Sequence, residues 1–173
     1  GIVRIMVPRF RIPAELVQQD IDFIADHGVI FVYNCDPHLT IDTLRQQGFH
    51  YICIGTGASQ SNVLQLAGDN PAVWRSFDFL RVFNSDAPPP LRGEIAIVGA
   101  GNTAMDCARA ALRLPEVTGA TIVYRRDRDA MPAWPEEIEE AEQDGVRFVT
   151  LVNPERYDAD GQLHLRVMRL GEP

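Results

Sequence analysis

Lysine is missing from this chain: all 16 of its basic residues are arginine. That excludes Schiff-base chemistry on a lysine and a P-loop lysine within these 173 residues. Cysteine is scarce. Cys35, Cys53 and Cys107 are scattered with no C-x-x-C, so neither a disulfide framework nor an internal metal cluster is expected. Cys53 and Cys107 sit in apolar patterns and are expected as small core residues. His27, His38, His50 and His164 show no ligand spacing, and no metal residue is nominated. Positive charge is also short. The net charge is -8, with one local cluster at Arg125, Arg126 and Arg128, which excludes general nucleic-acid binding. No apolar run approaches membrane-spanning length and no signal-peptide pattern is visible. A reducing cytoplasm is therefore the expected location, with no membrane partner.

What is present is Glu94-Ile-Ala-Ile-Val-Gly99-Ala100-Gly101-Asn102-Thr103-Ala104. A short apolar run ends in Gly-x-Gly-x-x-Ala and leads into an Ala-rich helical stretch. That context turns a weak glycine pattern into a dinucleotide-binding fingerprint. Gly99 allows the tight turn, Gly101 lets a pyrophosphate approach the backbone, and Ala104 keeps helix and strand close. The helix start then presents N–H groups and a favourable dipole to phosphates. Asn102 and Thr103 lie at that start, as caps or as direct ligand contacts.

Around this motif the pattern alternates. Strands are expected at 95–98, 121–124 and 146–152, with helices at about 103–114 and 136–144. This predicts an α/β fold with a Rossmann-like parallel sheet and helices on both faces. Asp158 to Gly161 reads as a hairpin turn before Leu163, Leu165 and Val167 at period two. Upstream, helices are expected at 15–27, 41–47 and within 73–83, a β-rich run at 29–33, and a buried strand at 51–54 before Gly55-Thr56-Gly57. Residues 86–90 read as a linker.

The end of the second strand selects the cofactor. NAD sites usually place an acidic residue there, whereas this strand ends Tyr124-Arg125-Arg126. Guanidinium groups bind a 2′-phosphate bidentately, so NADPH is favoured over NADH. The competing reading pairs the two arginines with Asp127 and Asp129. Glu136, Glu137, Glu139, Glu140, Glu142 and Asp144 are read as a solvated helix face rather than a catalytic cluster.

Val98-Gly-Ala-Gly-Asn-Thr-Ala-Met-Asp-Cys-Ala-Arg109, Val123-Tyr-Arg-Arg126, Met131-Pro-Ala133 and Pro135-Glu-Glu-Ile138 resemble the glutamate synthase small-subunit family. That family includes glutamate synthase β chains, the N-terminal part of dihydropyrimidine dehydrogenase and a selenate reductase group. Gly1 to Pro8 with Phe10-Arg-Ile-Pro13 is similar to the family's Gly-Gly-x-x-x-x-Gly-Ile-Pro-x-Phe-x-Leu-Pro stretch, although Met6-Val7 stands where the family has Gly-Ile. Ile54-Gly-Thr-Gly-Ala58 resembles its Ala-Thr-Gly-Ala flavin-domain strand end; Asp78-Phe-Leu80 and Asn84 also fall in place.

The resemblance implies a flavoprotein oxidoreductase in which NADPH passes hydride to FAD and electrons leave through iron–sulfur clusters. The cofactor residues it carries over are Gly99, Gly101, Asn102, Thr103, Ala104, Arg125 and Arg126 for NADPH, with Thr56 and Gly57 on the flavin side. The family's first Gly-x-Gly-x-x-Gly, its cluster cysteines and its final Gly-Asp segment have no counterpart here. The expected organisation is therefore a piece of a larger reductase. Residues 1–90 would be a partial FAD-domain segment with its linker, and 91–173 a truncated NADP(H)-binding Rossmann domain. FAD and the clusters would belong to the parent protein, the remainder of which is the expected partner. The chain alone would be inactive, with a homo-oligomer as one outlet for unpaired strands. Hydride transfer to a flavin needs no proton-transferring side chain, so no catalytic residue is nominated. The alternative is a non-catalytic nucleotide-binding or sensor domain.

Overall fold

The computed structural model describes residues 1–57, 64–68, 72–85 and 87–171. The chain divides into two compact units: residues 1–12 with 61–173, and residues 13–60.

The first unit is built on the alternating pattern. Strands β1 (Gly93–Val98), β2 (Val117–Tyr124) and β3 (Arg147–Thr150) form a parallel sheet in the order β1-β2-β3. Helix α5 (Asn102–Leu112) joins β1 to β2, and α6 (Pro135–Gln143) joins β2 to β3. This is the α/β architecture with a parallel sheet that the alternation predicts. Helix α5 buries Met105, Cys107, Ala108, Ala110 and Ala111 together with Asp106 and Arg109. Its small residues let it lie close to the sheet, where Ala120 and Ile122 are fully buried. Gly119 lies beneath an exposed ion pair. A Cβ there would meet the Glu94 carboxylate and the Arg147 guanidinium, which pair across the central strand.

The N-terminal segment belongs to this unit. A short helix α1 (Ile2–Ile5) leads to buried Met6 and Pro8. Helix α4 (Ser76–Phe83) buries Phe79 and Leu80 and ends at Asn84. The Asn84 Nδ2 group donates to the carbonyls of Ile5 and Val7, each at 3.0 Å, and so fixes the N-terminal segment. Helix α1 carries no pattern long enough to be read from sequence.

One expectation in this unit is corrected. The strand expected over 146–152 is broken at Leu151, whose φ of 56° lies in the left-handed region. Residues 152–157 instead form β4 (Val152–Tyr157), which pairs antiparallel with β5 (Leu163–Val167) across the anticipated turn. The helix expected within 73–83 is α4, which starts at Ser76.

The second unit contains α2 (Ala14–Asp26) and α3 (Ile41–Gln46), the latter capped by the Thr40 hydroxyl, which accepts from the Thr43 N–H at 3.1 Å. None of its described residues is buried. The expected β-rich run at 29–33 is exposed, and the expected buried strand at 51–54 is exposed except at half-buried Ile52; neither has a ladder partner among the described residues. Cys53, expected in a core, is exposed, whereas Cys107 is buried as expected. A strand needs neighbours for its N–H and C=O groups, and the apolar run alone does not provide them.

Candidate functional site

The glycine turn sits at the carboxyl end of β1. Gly99 has φ +120°, closed to most L side chains, and its N–H donates to the Val123 carbonyl at 3.0 Å. Gly101 is the N-cap of α5 with no side-chain cap, and a Cβ built there would meet nothing within 4 Å. The turn is therefore an open cradle at a helix start, where the first N–H groups have no carbonyl one turn back. Ala100 is buried and Thr103 exposed.

The Asn102 side chain does not cap α5. Its Oδ1 accepts from the Trp134 backbone N–H at 2.9 Å. The neighbouring Ala133 N–H donates to the Ala100 carbonyl at 3.1 Å. These two bonds staple the segment before α6 onto the glycine turn.

Arg125 and Arg126 follow β2 and are exposed. Among the described residues neither makes an ion pair with Asp127 or Asp129. Asp127 instead accepts from the Ala130 N–H at 3.0 Å, and the Arg126 guanidinium lies 5.7 Å from the Tyr124 ring centroid. The Tyr124 hydroxyl donates to the Ala130 carbonyl at 2.8 Å, which shapes the loop that follows the arginines. Gly99, Gly101, Asn102, Thr103, Ala104, Arg125 and Arg126 thus collect at the carboxyl edge of two adjacent strands, the usual ligand edge of such sheets. Thr56 and Gly57 are exposed and belong to the other unit.

Sequence reasoning missed a charged cluster on the same helix pair. Arg11 donates to Asp106 at 2.7 Å and pairs with Glu137. Arg109 pairs with Glu140 and holds Asp144 at 2.7 Å, and Arg113 reaches Asp144 at 2.8 Å. The Arg113 guanidinium also lies 3.9 Å from the Phe10 ring centroid. The acidic helix is therefore not simply a solvated face: Glu137, Glu140 and Asp144 point their charge at α5 and the N-terminal segment. The signal was available. Asp106, Arg109 and Arg113, and Glu137, Glu140 and Asp144, follow spacings of three and four that form one stripe on each helix. A groove of about 500 Å³ lies over this cluster, and none of its lining residues belongs to the glycine turn.

Burial raises the Asp106 pKa against the lowering effect of Arg11 and Arg109. For Asp144 burial also raises, but hydrogen bonds from Arg113 and Arg109 outweigh it and the net shift is downward. The Cys107 thiol is pushed up to about 12, chiefly by burial and then by the Asp106 charge, so it is no reactive thiolate. Among the described residues no group of three or more His, Cys, Asp or Glu could hold a metal, and no helix is long and apolar enough to cross a membrane.

Comparison with known proteins agrees with this architecture. YgfK of Escherichia coli (strain K12), named as an oxidoreductase, is 60% identical over 173 residues; these are 100% of this chain and 17% of that protein. A protein of Cereibacter sphaeroides named as a glutamate synthase (NADPH) small chain is 31% identical over 188 residues, covering 100% of this chain and 45% of its own length. The chain therefore spans less than half the length of these relatives. The solved structure of Mycobacterium tuberculosis FprA in complex with NADPH matches with a TM-score of 0.69 over 94% of this chain and 52% of that chain, at 16% identity, a likeness of fold. The family model for pyridine nucleotide-disulphide oxidoreductases matches residues 7–172, and the chain belongs to that family.

Proposed function

We propose that this chain is the NADPH-binding module of a longer flavin-dependent oxidoreductase. In that reading NADPH hydride passes to FAD, to whose domain residues 1–90 contribute, and electrons continue to iron–sulfur clusters and a downstream acceptor outside this chain. The observation that carries it is the open glycine turn at the end of β1 beside two arginines, free of ion pairs among the described residues, at the end of β2. FprA was solved with NADPH and the Cereibacter relative is named for it, which supports the choice of nucleotide.

NADPH supplies a hydride; this chain binds and orients it. The missing side chain at Gly101 leaves room for the pyrophosphate, and the amides opening α5, Asn102 and Thr103 among them, face its charge. Ala104 keeps the helix close to β1. Arg125 and Arg126 take the 2′-phosphate. Residues 91–173 are the NADP(H)-binding domain in this reading, and residues 1–90 contribute to a FAD domain, with Thr56 and Gly57 on its flavin side. The exposed backbone at 51–57 does not by itself amount to a flavin site, so no step is routed through it.

The test is calorimetric titration with NADPH and NADH at low salt. A charge-assisted phosphate contact contributes about 1–3 kcal/mol, so NADPH should bind about tenfold tighter or better. Arg125→Asp should abolish that preference. Equal affinities in the unmodified chain would refute the assignment.

A further inference from the structure

Trp134 stands out beside the glycine turn. Its side chain is 66% exposed, between Met131 and Ala133, which are buried, and the start of α6. Its backbone is nonetheless held on both sides. The N–H donates to Asn102 Oδ1 at 2.9 Å, and the carbonyl accepts from the N–H groups of Glu137 at 3.0 Å and Ile138 at 3.2 Å. The adjoining Ala133 N–H is bonded to Ala100, inside the Gly-Ala-Gly turn itself. No aromatic or cation–π partner holds the indole among the described residues.

A single exposed tryptophan on a protein surface needs no explanation. One whose backbone is stapled to a phosphate-type cradle by two independent hydrogen bonds is different. Its position relative to the turn is fixed before any ligand arrives, while its large ring is left unclaimed. Stacking on an indole is a strong, ring-tolerant way to hold a planar heterocycle, and a pre-positioned platform loses little freedom on binding.

From this geometry we infer that Trp134 is a binding residue for the dinucleotide, its indole stacking on one of the two planar rings of a ligand whose pyrophosphate lies on the Gly99–Gly101 turn. This rests on the NADPH reading above. Asn102 then acts as a positioning residue: its side chain sets the Trp134 backbone instead of touching the ligand through Oδ1.

The chain has two tryptophans, Trp74 and Trp134, so Trp74→Phe leaves Trp134 as the sole indole emitter. Trp74→Phe protein is titrated with NADP+, which does not absorb in the indole emission band, so quenching reports contact. Calorimetry runs on the same samples. Emission should fall in step with the binding heat. Parallel titrations with 2′,5′-ADP and nicotinamide mononucleotide show which half quenches. Trp134→Ala should weaken NADPH binding about tenfold and Trp134→Phe by no more than about threefold, because the phenyl ring keeps a stacking face. Binding heat with unchanged emission, or Trp134→Ala protein that binds as tightly as the parent, would overturn the role of Trp134 and leave the NADPH reading standing. No binding heat with any nucleotide would overturn both. Should Trp134→Ala fail to fold, the Trp74→Phe titration decides alone.

Discussion

Helices α5 and α2 are similar in sequence character and opposite in outcome. Helix α5 has 11 residues and buries seven of them; α2 has 13 and buries none. Leu16, Phe23 and Ile24 on α2 are 51%, 65% and 42% exposed, although their spacing is that of a core-facing stripe. The same contrast holds for the apolar four-residue runs. Ile95–Val98 is hydrogen-bonded to β2, whereas Tyr51–Ile54 has no ladder partner among the described residues and is mostly exposed, Tyr51 at 96%. Periodicity states which face an element could bury. Whether it buries that face depends on a partner brought from elsewhere in the chain.

The sharpest way to break this contrast is by ligand retention. The unit holding the glycine turn should bind NADPH, while the chain should retain no stoichiometric FAD after incubation and desalting. A flavin pyrophosphate would lack a glycine loop and helix start, and the few contacts at Thr56 and Gly57 cannot offset fixing so large a ligand. A persistent flavin absorbance band at one per chain would erase the distinction.

Core truncation comes next. Ile122→Ala opens a cavity against α5 and should cost about 2–5 kcal/mol in urea unfolding. Phe23→Ala on α2 removes an exposed ring and should cost less than about 0.5 kcal/mol. Comparable losses would show that α2 has a buried partner after all.

The charged cluster gives a smaller effect. Arg109 is 8% exposed and serves Glu140 and Asp144 together. Arg109→Leu should cost about 1–3 kcal/mol, below a fully buried pair because Glu140 remains half in solvent. Arg113→Leu should cost less than about 1 kcal/mol, since Arg109 still holds Asp144. The reverse order, read from urea midpoints, would assign the network's weight to the surface instead.

The smallest effect is in acid. The stabilisation from Asp144, whose pKa is lowered, is present above the ordinary carboxylate value of about 3.9 and is lost as pH falls through its folded value. Asp106, whose pKa is raised, acts in the opposite sense: its contribution is present in acid and lost as pH rises through its folded value. Asp144→Asn should therefore flatten the acid limb of Tm against pH between neutrality and about pH 3. A steeper limb in that variant would contradict the sign.

Much of the first unit was legible because its evidence is local. The Gly99–Gly101 turn, the Ala-rich face of α5, the Arg125-Arg126 strand end and the Asp158–Gly161 turn each follow from short-range steric or electrostatic rules. What stayed illegible depends on pairs far apart in sequence. Asn102 bonds a residue 32 positions away, Arg11 reaches Asp106 across 95, and Asn84 holds carbonyls 77 and 79 positions upstream. The break at Leu151 belongs with them, since its N–H is bound by the Arg126 carbonyl. The sequence by itself determined where turns and helices start and what their ends could bind, because glycine, proline and charge act on their nearest neighbours. Only the tertiary structure decided which apolar faces were covered and which charges met, because burial and ion pairing need a second surface that local sequence does not contain.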